Sequence, residues 1–491
     1  MSFDEFVRKE LVFIKNYVKD APHSLFVAFR SEFDGLSEDQ VKQKQFELFE
    51  LYVNSIDKNA LSTELSLEGR ASLILKPSSY RIYSDGIVVI TTRGGSKLVG
   101  EIKQFGRSKR EILNNISDWM YVEVVHDESV VEDHGKDACL IEFVDPLKGH
   151  TNESDGRRIL NEYDLTPLEI LIAGLGIKPT KETMRLFAPR FLAMFSYQDR
   201  PIHVMQFTNV ETGKTEFGTR LEFVFSWTFY SEFPSVAELI YDGRTGSAGA
   251  VFTSQGIVID EMDKVSKAKF VEAYQPLNTG LENGLWRRGI SCHGRRLEIY
   301  RRVPFLIFGN CNQGNDVIDT KLYENNRRTA KEIIETAISQ AVNDDRKVNV
   351  YSFLDRFAIC DIHSQYVPIS EYLIMNDRGA VGVLPDSVFR GIVAVLQKRI
   401  PSEYVESSEG CKGRLRRHAE AVYNVMRVLL DTELDVETVR QVVSGDRDFG
   451  ALFESVTKPI ESTKSEPKET EIEFEEIEEE ELSFDLQKAF G

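Results

Sequence analysis

The spacing of apolar residues divides the chain into blocks of different period. In residues 1–62, "FDEFVRKELVFIKNYV" and "LSEDQVKQKQFELFELYV" carry apolar residues three and four apart, which predicts amphipathic helices. Ser37, followed by Asp39 and Gln40, supplies a helix start. Across 63–150 the period changes. "ASLIL", "YRIYSDGIVVITT", "KLVGEIKQF", "MYVEVVH" and "ACLIEFV" are short, rich in Val, Ile and Tyr, and broken by turn formers.

"VDPLKGHTNESDGRR" (144–158) is polar and turn-rich and reads as a boundary. From 160 to 375, helical stretches alternate with the apolar runs "IHVMQF", "GIVID" and "PFLIFGN". Such alternation predicts an α/β core, a parallel sheet with helices on both faces. Residues 385–456 return to a helical period and predict a helical lid. The preceding β-rich block fits a small barrel or sandwich, with an OB-like barrel as one option. No internal repeat is present.

Charge and composition change this picture in two places. The net charge of −19 is unevenly spread, and residues 457–491 alone hold twelve acids and four lysines. That low-complexity tail is expected to be disordered. Its last residues, "LSFDLQKAF", restore apolar anchors and suit either a docking motif for a protein partner or the end of a solubilising arm. The five cysteines form no C-x-x-C pair and the eight histidines form no helical H-x-x-x-H pair, so neither disulfides nor a transition metal is expected. A charged N-terminus and the lack of a long apolar run argue for a cytoplasmic protein, nucleoid-associated if prokaryotic, with no membrane partner.

The candidate chemistry begins at "FTNVETGKTEFG" (207–218). After an apolar strand, Gly213-Lys214-Thr215 opens a helix, as in loops that aim backbone N–H groups at phosphate. Lys214 would reach the β and γ phosphates, and Thr215 would bind Mg2+. A second strand, "GIVID", ends in Asp260-Glu261, a Mg2+ carboxylate and a water-polarising acid. A third, "PFLIFGN", ends in Asn310, placed to orient water beside the γ-phosphate. Arg356 in "SFLDRFAICDIH" could reach a neighbouring subunit's phosphate. Arg414, Arg416 and Arg417 begin the lid helix and could contact nucleotide. Each signal alone has a plain alternative, from a solvated acidic turn to a surface ion pair. Their order and spacing together favour a nucleotide site.

That order resembles AAA+ ATPases of the branch containing the MCM replicative helicases and Lon, over residues about 160–450. "SVAELIYDGRTGSAGAVFTSQGIVIDEMDKVSKAKF" is MCM-like. "GLENGLWRRG" followed by "PFLIFGNCN" is similar to the Lon-like, MCM-related ATPase of BREX phage-defence systems. "LDRFAICDIHSQYVP" is similar to the arginine-finger region of both groups. The resemblance implies bound ATP and Mg2+. It implies a nucleotide loop of Thr208, Glu211, Thr212, Gly213, Lys214 and Thr215, with Arg414 and Arg417 from the lid. Thr208 and Glu211 stand where the family has glycines. Losing the first glycine removes an easy positive φ, and an inward Glu211 carboxylate would repel phosphate. Binding is expected to persist, and hydrolysis is the open question.

Between the acidic pair and Asn310, "WRRGISCHGRRLEIYRR" carries six arginines and reads as a hairpin turning near His293-Gly294. In the resembled branch such a hairpin projects into a hexamer's channel. Arg295 and Arg296 would then grip DNA phosphates without sequence preference. Lys97 and Arg107, in "TTRGGSKLVGEIKQFGRSKRE", form a second basic patch, either a DNA guide or a solvated hairpin. The expectation is a ring-forming, hexameric, ATP-driven DNA translocase or helicase. The alternatives are a protein remodeller without a protease domain, and a DNA-holding ring or loader that hydrolyses weakly.

Overall fold

A computed structural model describes residues 1–147, 151–242, 247–289, 296–311, 325–339, 348–401, 413–454 and 456–459. Its centre is a five-stranded sheet. The strands are labelled β1 (Val204–Thr208), β2 (Thr228–Tyr230), β3 (Ile257–Ile259), β4 (Phe305–Asn310) and β5 (Ile359–His363). They lie in the order β2-β3-β4-β1-β5, and every pairing is parallel. The predicted parallel sheet is therefore present. Its strands are mostly apolar because both faces are covered.

The helices flanking it are labelled α1 (Lys181–Leu192), α2 (Lys214–Phe225), α3 (Lys267–Asn283), α4 (Asn326–Ser339), α5 (Val350–Leu354), α6 (Asp386–Arg399) and α7 (Arg414–Leu430). Alternate residues of each strand enter different cores. Val204, Leu306 and Ile359 pack with Phe187, Phe217, Phe389 and Val422, from α1, α2, α6 and α7. Met205, Ile307 and Cys360 pack with Phe270, Ile334 and Phe353, from α3, α4 and α5. The chain thus leaves β1 on one face and the next strands on the other. The change of face falls at β1, and open α/β sheets bind ligands outside the carboxyl ends of their strands at such a point.

Three expectations need correcting. Residues 12–14, expected as helix, form a strand paired antiparallel with Val381–Val383. A short apolar run cannot report its own period, and here an available edge decided it. The helix before it ends at Glu10, while Ser37 and Gln40 do form the capping box of helix Glu38–Ile56. The β-rich block is not a closed barrel. Its strands join one mixed eight-stranded sheet whose ends, Arg70–Leu75 and Tyr241–Asp242, do not pair with each other among the described residues. Two of its strands, Tyr241–Asp242 and Ser247–Ala248, come from the segment between β2 and β3. The first residues of the tail expected from 457 are strand. Val456–Pro459 pairs with Thr432–Leu434, and residues 460–491 lie outside the described residues.

The mixed sheet is bound to the core by buried polar contacts. The Lys76 ammonium donates to the carbonyls of Ser226 (2.6 Å) and Trp227 (2.8 Å) at the start of β2. Trp119 stacks on Phe223 of α2, with ring centroids 4.4 Å apart. No described helix is long and apolar enough to cross a membrane.

The helix Glu153–Glu162 crosses α6 where both present glycine. A Cβ on Gly391 would meet the Asn152 carbonyl oxygen at 2.0 Å, and one on Gly156 the Gly391 carbonyl carbon at 2.5 Å. Gly391→Ala is expected to destabilise the fold by roughly 1–3 kcal/mol through this overpacking. The readout is the thermal unfolding midpoint, and an unchanged midpoint would contradict the close crossing.

Candidate nucleotide site and a distant arginine cluster

The carboxyl edge of the sheet gathers most of the residues singled out in the sequence. Thr208 ends β1 and lies level with Asn310 of β4 and His363 of β5. Thr208 is thus extended strand, fully buried, and needs no glycine-like φ. The left-handed positions are Glu211 (φ 63°) and Gly213 (φ 71°), the latter capping α2. The strain expected at Thr208 therefore falls on Glu211, where an L side chain is disfavoured. The Glu211 carboxylate is exposed and accepts from the Tyr366 hydroxyl, and its carbonyl accepts from Ile369 N (3.0 Å). Ile369 also packs over Gly213.

Inside this turn the Lys214 ammonium is buried. It donates to Asn310 Oδ1 (2.7 Å), the Asn209 carbonyl (3.1 Å) and Thr208 Oγ1 (3.2 Å). Thr208 and Thr212 hydroxyls share a 2.7 Å bond across the turn. Burial pushes the Lys214 pKa down to about 8, with Asp260 opposing the shift. Thr215 Oγ1 donates to Asp260 Oδ2 (3.2 Å), while Asp260 Oδ1 accepts from Glu261 N (2.8 Å). Burial also raises the Asp260 pKa. Glu261 is left-handed (φ 55°), and its carboxylate pairs with Lys264.

A hydroxyl beside a carboxylate is a hard oxygen donor set that suits Mg2+, completed by phosphate and water. Among the described residues no group of three or more His, Cys, Asp or Glu could hold a metal unaided.

Sequence reasoning missed the residues that hold this set. Arg190 of α1 is completely buried and donates to the Thr212 carbonyl (2.9 Å) and Gln206 Oε1 (2.8 Å). Gln206 in turn donates to Asp361 Oδ2 (2.9 Å), whose pKa burial raises to about 7. Asp263 Oδ1 accepts from the Asn310 backbone N–H at 2.7 Å. The available signals were single polar or charged residues in apolar runs: Arg190 in "LFAPRFLAMF", Gln206 in "HVMQF" and Asp361 in "AICDIH".

The arginines lie elsewhere. Arg200, Arg302 and Arg356 precede β1, β4 and β5, so they sit at the amino edge of the parallel sheet. Lys214 lies beyond its carboxyl edge, a strand of five residues away at about 3.3 Å each. Arg414 and Arg417, expected with the nucleotide loop, instead join Arg356 around a cavity of about 150 Å3 at the amino edge. The reason is topological. The lid helix α7 begins at that edge, beside the C-terminus of α3, and Glu282 there pairs with Arg356 (3.0 Å) and with Arg414. Arg416 pairs with Glu420 of its own helix at 3.0 Å.

The expected hairpin is present, with Leu285–Gly289 antiparallel to Arg296–Tyr300. Its tip and Arg295 lie outside the described residues, as does the side chain of Arg296, the first residue of the second strand. Arg287 pairs with Glu298 (2.9 Å), and Arg301 donates to the Ser254 carbonyl (2.8 Å). Lys97 and Arg107 do not form one patch. Lys97 starts strand Lys97–Glu101 and donates to the His134 carbonyl (2.7 Å), in a groove of mixed charge. Arg107 lies exposed past the other end of that strand.

No family model matches the chain. It is similar to three viral proteins. Uncharacterized protein ORF426 of Acidianus filamentous virus 1 is 27% identical over 352 residues, 69% of this chain and 78% of that protein. Uncharacterized protein 440 of Sulfolobus islandicus rod-shaped virus 1 is 26% identical over 287 residues, 56% of this chain and 63% of that one. Uncharacterized protein ORF425 of Acidianus filamentous virus 2 is 22% identical over 427 residues, 82% and 90%. Among solved structures, a full-length MCM homolog from Methanopyrus kandleri overlays with a TM-score of 0.39. The identity is 12%, across 79% of this chain and 78% of that one. A likeness of that size carries no inference about activity.

A polyphosphate in the turn would restore the charge of Lys214, whose pKa is held near 8 in the free protein. Polyphosphate binding is therefore expected to take up more protons at about pH 9, where free Lys214 is mostly neutral, than at about pH 6, where it is already charged. The unfolded chain keeps this proton up to the ordinary lysine range. The free fold should thus gain stability as pH rises through that interval. Titration calorimetry in two buffers of different ionisation enthalpy reads the uptake, and equal values at both pH would refute it.

Proposed function

We propose that the protein is a ring-forming AAA+ ATPase that couples ATP hydrolysis to movement on DNA. The observation carrying this reading is the division of the site. Lys214, Thr215, Asp260, Glu261 and Asn310 share the carboxyl edge of the sheet, while Arg356, Arg414 and Arg417 share the opposite edge. One chain cannot bring both sets to one nucleotide. A head-to-tail neighbour can, and head-to-tail contacts that close make rings.

In this reading Thr215 and Asp260 would hold Mg2+, which would neutralise phosphate charge when bound. The backbone N–H groups of the turn and Lys214 bind the β and γ phosphates. Asn310, fixed by Asp263, and Glu261 orient and polarise the attacking water. Arg356 of the next subunit stabilises charge developing in the transition state, an effect worth roughly 10³–10⁵ in rate where such arginines operate. The hairpin Leu285–Gly289/Arg296–Tyr300 leaves α3 immediately after the helix that carries Glu282, so it is built onto the arginine edge. Arginines at its tip would hold DNA phosphates. The similar proteins come from viruses, a source that suits replication of a mobile element.

A second reading, a ring that holds nucleotide and turns it over weakly, is favoured by two observations. Glu211 occupies a left-handed position at the mouth of the turn, and Glu261 is paired with Lys264.

DNA-stimulated ATPase activity separates the readings. Wild type is expected to hydrolyse ATP, and Lys214→Ala, Glu261→Gln and Arg356→Ala each to lose at least about a hundredfold. Mixing Lys214→Ala with Arg356→Ala should restore activity, since about a quarter of head-to-tail interfaces then carry two wild-type halves. No recovery on mixing would refute the shared site, and no wild-type turnover would leave the holding ring. Stimulation by unfolded protein in place of DNA would select a remodeller.

Glu211→Gly tests the turn itself. It keeps the left-handed conformation and removes a carboxylate from the phosphate mouth. Binding of ATP is expected to tighten several-fold, by roughly the strength of one screened charge contact. Unchanged affinity with unchanged turnover would mean that Tyr366 already keeps this carboxylate out of the way.

A further inference from the structure

The cavity at the amino edge holds more positive charge than the shared-site reading uses. Five arginines line it, Arg200, Arg302, Arg356, Arg414 and Arg417, against the acids Glu282 and Glu420. Glu420 is already paired with Arg416. Glu282 makes the ion pairs within the cluster, with one carboxylate oxygen on Arg356 and the other on Arg414. Among the described residues, no carboxylate pairs with Arg200, Arg302 or Arg417. Arg200 has its pKa lowered by burial and by the charges of Arg417 and Arg302, and Arg356 by burial and by Arg414. The guanidinium groups repel one another, and one carboxylate does not balance them.

Two arginines converging on the two oxygens of one carboxylate is also the geometry with which arginine holds a phosphate. The cavity, about 150 Å3, is below the roughly 300 Å3 at which pockets begin to take whole drug-sized ligands. It has room for the phosphate end of a nucleotide and not for its base. Glu282 is anchored by α3, and Arg356 Nε also donates to the Asn278 carbonyl of that helix (3.2 Å). The arginines are thus preset around an anion position that a side chain now fills.

We propose that this cavity is an anion site for the terminal phosphates of a polyphosphate, with Arg200 and Arg302 as ligands beside Arg356, Arg414 and Arg417. Glu282 is its internal counter-ion, which the phosphate displaces. The carboxylate keeps the arginines ordered while no phosphate is present and competes with it on arrival. Arg200 and Arg302 are exposed, line the same cavity, and add charge that Glu282 does not pair with. The identity of that phosphate as a neighbouring subunit's nucleotide rests on the shared-site reading, whereas the anion site itself does not.

The test uses the full chain carrying Lys214→Ala, so that the phosphate turn is silenced, and inorganic tripolyphosphate as the probe. Titration calorimetry is expected to detect binding. Adding Glu282→Gln should tighten it about tenfold, the effect of removing one charged competitor from paired arginines. Adding Arg200→Ala and Arg302→Ala together should weaken it by a similar factor. Thermal midpoints without the probe check that each variant is folded. No binding to the Glu282→Gln form, or an affinity indifferent to both changes, would overturn the proposal. The shared-site reading fails separately. Absent recovery in mixed rings with these affinity changes intact overturns the intersubunit arrangement and supports the anion site. Normal recovery with no such changes overturns the anion site alone.

Discussion

Lys214 is a cation that the fold removes from water without a carboxylate at contact distance among the described residues. Its ammonium is held by a threonine hydroxyl, a backbone carbonyl and the Asn310 side chain. A buried charge with only neutral partners is costly, and burial accordingly drives its pKa down. Much of the surrounding structure serves to keep that arrangement. Arg190 fixes the turn from below through the Thr212 carbonyl, Asp263 fixes Asn310, and Ile369 closes over Gly213. The carboxylates of Asp260 and Asp263 oppose the downward shift of the Lys214 pKa through space without bonding the ammonium.

The second constraint is the parallel sheet. Strands that all run one way give the domain two chemically different edges. Loops after the strands carry the lysine, hydroxyl, acids and asparagine, and loops before them carry the arginines. Neither edge is electrically complete. The carboxyl edge has an underused cation beside a raised Asp260, and the amino edge has five arginines around one engaged Glu282.

Much of this was legible in the chain. Apolar runs ending in polar residues marked β1, β3 and β4, because a strand buried on both faces is mostly apolar, and a polar residue inside it needs a partner, as Gln206 and Asp361 find in each other. The Gly213-Lys214-Thr215 turn was legible because its φ and its cap are local properties. Less was legible in the β-rich block, where alternation and turns identified strands but not their partners. Strand partners there are non-local, and two of them arrive from residues 241–248. Residues 12–14 became a strand because Val381–Val383 offered an unpaired edge, which no local pattern records.

By itself, the sequence determined the elements of the core, the polar residues at the strand ends and the turn before α2, since each follows from period, capping and backbone freedom. Only the tertiary structure decided that Thr208 is strand while Glu211 bears the left-handed φ, because that depends on where β1 stops hydrogen-bonding to β4 and β5. It alone recruited Arg190 and Asp263, and it alone sent Arg414 and Arg417 away from Lys214 to Glu282. Charges interact through space, and the chain order of "GKT", "DE", "N" and "R" carries no information about which edge of a sheet each will face.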